Sequence, residues 1–177
     1  MRLVPCAPLS ALLVAVALDA AANGPASPGQ AVNPEIDSQA YVRLAAEAVR
    51  HRESRRLSED EFIRMARAPN AVVLDARSKA KYDALHVRGA VNLPFPDITV
   101  ASLHALLPDR NAVVLIYCNN NFRDAPDPMP TKLPPAALNL ATYTALYTYG
   151  YRNVYELGPN LSVNETRIPF ESATAKR

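Results

Sequence analysis

Cys118 closes the apolar run Ala112–Tyr117 and opens the polar stretch Asn119–Arg123. In an open parallel sheet, ligands sit beyond the carboxyl ends of the strands, so a thiol at this junction faces a crevice bounded by loop backbone and the start of the next helix. A cysteine attacks as its thiolate, and nearby positive charge, a helix N-terminus or convergent backbone N–H groups favour that form. Arg123, five residues on, supplies such a charge. If Asn119, Asn120, Asn121 and Phe122 curl around the sulfur, their amides form an anion nest able to hold a thiolate, a persulfide or a substrate oxyanion. Curling of that kind requires left-handed backbone; the loop lacks glycine, and asparagine is the next most tolerant residue. Two plainer readings stand beside this one: a free cysteine that fills space at a strand end, and three asparagines that make an ordinary polar turn.

The stretch that follows, Asp124–Pro135, carries prolines at 126, 128, 130, 134 and 135. Prolines lower the entropy of a free loop and favour a semi-rigid extended path, along which Lys132 returns to the site as a second anion-binding charge. The alternative is a disordered surface insertion. No metal site is expected, because the three histidines and the cysteines fall at no ligand spacing, and no motif calls for a cofactor. The formal net charge is +2 with no dense basic run, which argues against a nucleic-acid groove. Arg50, Arg52, Arg55 and Arg56 read as a solvated helix face.

Positioning a thiol at a strand end requires a sheet, and the chain has the pattern of one. Arg2, the apolar run Leu9–Leu18 and the small residues Ala20–Ala22 read as an export signal over 1–22, too short to span a bilayer. Its removal leaves about 155 residues, one domain's worth, in a periplasmic or secreted protein free of the membrane. Cys118 is then the one cysteine, unable to form an internal disulfide. Residues 23–33 read as a flexible leader and 34–56 as an amphipathic N-terminal helix. Ser58 with Glu61 marks a capping box for a helix that stops at Pro69–Asn70. Ala71–Leu74 is a strand, Ser78 caps a helix to about Leu85, Gly89–Pro94 is a second strand, Thr99–Leu107 a helix and Ala112–Tyr117 a third strand. A helix over Ala136–Tyr149, stopped by Gly150, and a strand at Asn153–Leu157 complete the series. Strands alternating with helices predict an α/β fold: a parallel central sheet flanked by helices on both faces, one domain over 57–165, and a C-terminal tail at 166–177.

Several segments, in order, resemble those of single-domain rhodanese-like proteins. Val73–Arg77 is similar to that family's Asp-x-Arg segment after the first core strand. The run Tyr82-x-x-Leu-His-Val-Arg-Gly-Ala-Val-Asn-Leu-Pro94 closely resembles its signature Tyr-x-x-Gly-His-Ile-x-Gly-Ala-x-Asn-Ile-Pro. Leu115–Cys118 matches the strand that delivers the family's active-site cysteine, and Gly150–Leu157 its closing Gly-Tyr/Phe-x-x-Val-x-x-Leu segment. The resemblance covers Leu57–Leu157 and implies sulfur transfer. Cys118 would take sulfane sulfur from a small anionic donor such as thiosulfate and yield it to cyanide or a thiol, by covalent nucleophilic catalysis.

In the family loop Cys-x-x-Gly-x-Arg, Arg123 holds the place of the arginine and Asn121 that of the glycine. The proline-rich stretch lengthens the connection to the next helix beyond the family's compact loop. Either it removes dipole support from the thiolate, a contribution of about 0.3 to 1 kcal/mol, or it folds over the pocket as a lid. The resemblance also implies loop-ordering roles for Asp75, Arg77 and His86, with Arg77 pairing Asp75 or Glu156. Competing functions are a phosphatase or oxyanion reductase built on the same cysteine loop, and a non-catalytic module that docks a periplasmic protein through the proline-rich stretch.

Overall fold

Asp37 starts the first helix, α1 (Ser38–Arg52), by accepting a 2.8 Å bond from the Ala40 amide. It opens the larger of two units, which divide after Ile36, in a computed structural model that describes residues 33–173. The expected export signal and all but the last residue of the leader lie outside the described residues. Arg56 was expected in the N-terminal helix; instead Arg56–Leu57 form strand β1, paired in parallel with Glu156 and Leu157. Glu156 donates its N–H to the Arg55 carbonyl at 3.0 Å and Gly158 to that of Leu57 at 2.9 Å. These long-range bonds and the burial of Leu57 decide the conformation, and a two-residue strand has no periodicity to read.

The second helix, α2 (Glu59–Ala66), begins with the expected capping box: Ser58 N–H donates to the Glu61 carboxylate at 2.9 Å, and Glu61 N–H to the Ser58 hydroxyl. Strand β2 (Ala71–Asp75) follows, then α3 (Lys79–Ala84). Ser78 stands at the N-cap of α3, yet its hydroxyl makes no capping bond. Next come β3 (His86–Val87), β4 (Val91–Asn92), α4 (Val100–Leu106) and β5 (Val113–Tyr117). After Cys118 the chain forms β6 (Phe122–Arg123), α5 (Leu138–Thr148), β7 (Val154–Leu157), β8 (Leu161–Ser162) and β9 (Phe170–Glu171).

The central sheet runs β1-β7-β5-β2-β4, every neighbouring pair parallel. Alternation along β5 sends Val114 and Ile116 to one face and Leu115 and Tyr117 to the other, each face with its own core. The first core is closed by Ala48 of α1, Leu103 of α4 and Tyr143 and Leu146 of α5. Phe62 of α2, Val87, Phe122, Met129 and Ile168 close the second. Helices therefore cover both faces, as the alternating pattern predicts.

Two stretches differ from the reading of the sequence. From 166 on, the expected tail is packed: β9 pairs antiparallel with β3, and Ile168 is buried in the second core. The proline-rich stretch is built into the domain rather than being a surface insertion. Met129 is 1% exposed, and the Pro128 and Asp127 carbonyls accept from Arg77 Nη1 at 2.9 Å and from Lys81 Nζ at 2.5 Å.

Candidate active site

Cys118 follows β5 with extended backbone, so the alternation of the strand continues and places its side chain on the α1 and α5 face, with Ile116. Asn119–Asn121 then form a single 3₁₀ turn, closed by the Asn121 N–H on the Cys118 carbonyl at 3.1 Å. The left-handed backbone expected of the asparagines is absent from them. Among the described residues the one non-glycine with positive φ is Asp124, at 69°, beyond the turn. A right-handed turn suffices because the side chain of Asn121 does the ordering. Its Oδ1 accepts from Cys118 N–H at 2.9 Å and from Asn139 Nδ2 at 3.0 Å; its Nδ2 donates to the Leu157 carbonyl at 2.7 Å. One buried amide thus ties the ends of β5 and β7 to the first turn of α5.

The thiol is 1% exposed. Burial pushes it above its ordinary pKa; the backbone N–H groups of Asn139, Asn120 and Leu138 pull the other way, and the negative charge of Glu156 adds to the rise. Two of those three amides belong to the first turn of α5. The proline-rich stretch therefore delays that helix without removing its N-terminus from the sulfur. As for a lid, this stretch contributes Pro134 to the rim of the cavity described below.

Arg123 does not supply the expected charge at the thiol. Strand β6 pairs with β8, and alternation turns Phe122 inward and Arg123 outward. Arg123 Nη1 donates to the Asn160 carbonyl at 2.8 Å, its guanidinium lies near Asp124 and Glu165, and its side chain is 51% exposed. Phe122 meets the Tyr117 and Phe170 rings edge-on in the second core rather than lining a substrate site. Asn119 is buried and donates to the Pro130 carbonyl at 2.8 Å. Asn120 holds the backbone of Lys132 reciprocally: its Nδ2 donates to the Lys132 carbonyl at 2.8 Å and its Oδ1 accepts the Lys132 N–H at 3.1 Å. Lys132 is thus joined to the cysteine loop through its main chain, and it does not line the cavity.

A cavity of about 360 Å³ opens at Cys118, walled by Asn121, Asn139, Glu156, Arg52 and Arg56 among others. Arg52 stands in the last turn of α1 with Nη2 at 2.5 Å from Glu156 Oε1. Glu156 sits opposite Ile116 in the register of β7 with β5, a diagonal neighbour of Cys118 on the same face. Burial holds its carboxyl above the usual range, against the pull of Arg52 and Arg56. Reading these arginines as a solvated face missed them. The available signal was the helical stripe Leu44, Ala48, Arg52, whose four-residue steps put Arg52 on the buried side of α1. For Glu156 it was a lone charge inside an apolar strand.

Asp75, Arg77 and His86 lie on the opposite face of the sheet. Asp75 is fully buried and accepts from the backbone N–H, Nε and Nη2 of Arg77 and, at 2.5 Å, from the Tyr117 hydroxyl. Arg77 also donates to the Leu85 carbonyl at 2.7 Å, so the pair fixes both ends of α3. Of the two partners weighed for Arg77, the structure has Asp75, while Glu156 belongs to Arg52. His86 stacks on Tyr82 with ring centroids 3.7 Å apart and donates from Nδ1 to the Tyr82 carbonyl at 2.7 Å.

A sequence profile described as the rhodanese-like domain matches residues 58–158, more than half of the chain. No curated protein matches the sequence. Among solved structures, a thiosulfate sulfurtransferase from Pseudomonas aeruginosa is similar with a TM-score of 0.50 at 22% identity, over 75% of this chain and 22% of that one. The BH2092 protein from Bacillus halodurans also reaches 0.50, at 20% identity over 75% of this chain and 90% of its own. A rhodanese with anions from E. coli has a TM-score of 0.40 at 21% identity, over 58% of this chain and 98% of its own. At these identities the likeness is one of fold, and the Pseudomonas protein is matched over about a fifth of its length.

Proposed function

Because this chain belongs to the rhodanese-like family, we propose that it is a sulfurtransferase in which Cys118 carries sulfur as a persulfide, acting in the periplasm or outside the cell after loss of an export signal. The observation that carries this reading is the placement of Cys118 just past the central strand β5, lining an open cavity together with Asn139 in the first turn of α5.

The reaction is a pair of displacements at sulfur. The Cys118 thiolate attacks the sulfane sulfur of thiosulfate; the new S–S bond forms as the old one breaks, and sulfite leaves with the electron pair. Cyanide or a thiolate acceptor then attacks the outer sulfur, and the Cys118 thiolate is regenerated as thiocyanate or an acceptor persulfide departs. In each step the negative charge stays on sulfur beside the first turn of α5, whose backbone N–H groups favour it. Forming the thiolate is the demanding part, because burial holds the thiol protonated.

The test is turnover: purified protein with thiosulfate and cyanide, followed by thiocyanate release. The wild type is expected to turn over and Cys118→Ser to be inactive. No thiocyanate from folded protein with a reduced thiol contradicts the reading.

A further inference from the structure

With Arg123 turned toward Asn160, the charge of an anionic donor must be met elsewhere. The cations on the cavity wall are Arg52 and Arg56, and both precede residue 58, where the family domain begins. Arg52 spends one amino group on Glu156, while its Nε is buried without a hydrogen-bond partner among the described residues. A buried donor in that state costs free energy until an acceptor arrives. Arg56 is exposed and makes no ion pair among the described residues, although its charge reaches Glu156. Two guanidiniums therefore face one carboxylate, and the planar fork of each suits a tetrahedral oxyanion.

We infer that Arg52 and Arg56 form the anion-recognition subsite of the Cys118 cavity, so that the segment ahead of the family domain completes the site and selects a dianionic, sulfonate-ended sulfur donor over a neutral one. This rests on the sulfur-transfer reading for the word donor, and on the cavity alone for the word anion. The sulfonate end meets the arginines, and the sulfane sulfur points toward Cys118 and the α5 amides. Glu156 opposes binding, since its carboxylate holds Arg52 and repels the guest. Removing its charge tightens the subsite.

Two readouts on the full-length chain test this. In the first, sulfate protects Cys118 from the neutral alkylating agent iodoacetamide. In the second, the donor dependence of Cys118 modification is followed by intact mass: thiosulfate adds one sulfur as sulfite leaves, and the neutral dimethyl trisulfide adds a methylsulfanyl group as methyl persulfide leaves. Arg56→Ala, an exposed position whose loss leaves no buried group unpaired, is expected to raise the half-protecting sulfate and half-saturating thiosulfate concentrations about tenfold while leaving the trisulfide dependence unchanged. Glu156→Gln is expected to lower both anion concentrations severalfold, and Arg123→Ala to leave them alone. The inference is overturned if Arg56→Ala and Glu156→Gln leave sulfate protection unmoved, or if Arg123→Ala is the variant that weakens it. Arg56-dependent protection without sulfur uptake keeps the anion subsite and removes sulfur transfer; uptake from thiosulfate that ignores Arg56 does the reverse.

Discussion

The Tyr117 hydroxyl donates to Oδ2 of Asp75 at 2.5 Å, joining the end of β5 to the end of β2 on the face of the sheet turned away from Cys118. The same hydroxyl accepts the Val87 N–H at 3.1 Å, and burial beside Asp75 holds the phenol well above its ordinary pKa. Strand β5 thus reaches the candidate site with its last residue clamped from behind. Asp75→Ala leaves the Arg77 charge buried without its counter-ion and is expected to cost about 3 to 5 kcal/mol. Tyr117→Phe leaves two groups without that partner and is expected to cost about 1 to 3 kcal/mol. Urea denaturation measures both, and because the residues share a network the double variant should lose less than the sum.

Asn121 orders the turn after Cys118 through side-chain bonds, with no left-handed backbone in the turn. Asn121→Ala removes the acceptor of the Cys118 N–H and the donor to the Leu157 carbonyl. A loss of about 1 to 3 kcal/mol is expected for each group left unsatisfied, together with faster amide exchange at Cys118. Exchange as slow as in the wild type would show that the turn holds itself.

Met129 anchors the proline-rich stretch in the second core. Met129→Ala is expected to cost about 2 to 5 kcal/mol and to make residues 124–135 a preferred site of proteolysis. Unchanged stability and cleavage would mean that the stretch is not part of the cooperative unit.

The thiol titrates above its ordinary range, so its alkylation rate should keep climbing as pH rises past that range rather than levelling at neutrality. Glu156→Gln removes a negative neighbour and should shift the whole profile to lower pH. Glu156 also has a stability signature. Its carboxyl is raised in the fold, so the native state binds more protons than the unfolded chain between the two pKa values. The Glu156 contribution to stability falls as pH rises through that window, so the denaturation midpoint at about pH 4 relative to that at about pH 8 should be higher for the wild type than for Glu156→Gln. A profile that is flat above neutrality would contradict the raised thiol.

What was legible in the chain was local. The Ser58–Glu61 box, the apolar run into Cys118 and the strand–helix alternation are set by neighbours in sequence, and the structure keeps them. What was not legible depended on distant partners. Whether Arg123 faces the thiol is decided by the pairing of β6 with Leu161 and Ser162, far along the chain. Strands β1 and β9 have two residues each, too few for any period to mark. Arg52 looked like one of several surface arginines until β7 brought Glu156 beneath it.

The central claim is that Cys118 is a sulfur carrier, and the most direct test is the intact mass of the full-length protein after incubation with thiosulfate, beside Cys118→Ser treated alike. The expected result is a gain of one sulfur atom in the wild type alone, lost again as thiocyanate when cyanide is added. A folded wild type with a reduced thiol that gains no sulfur at any thiosulfate concentration would contradict it.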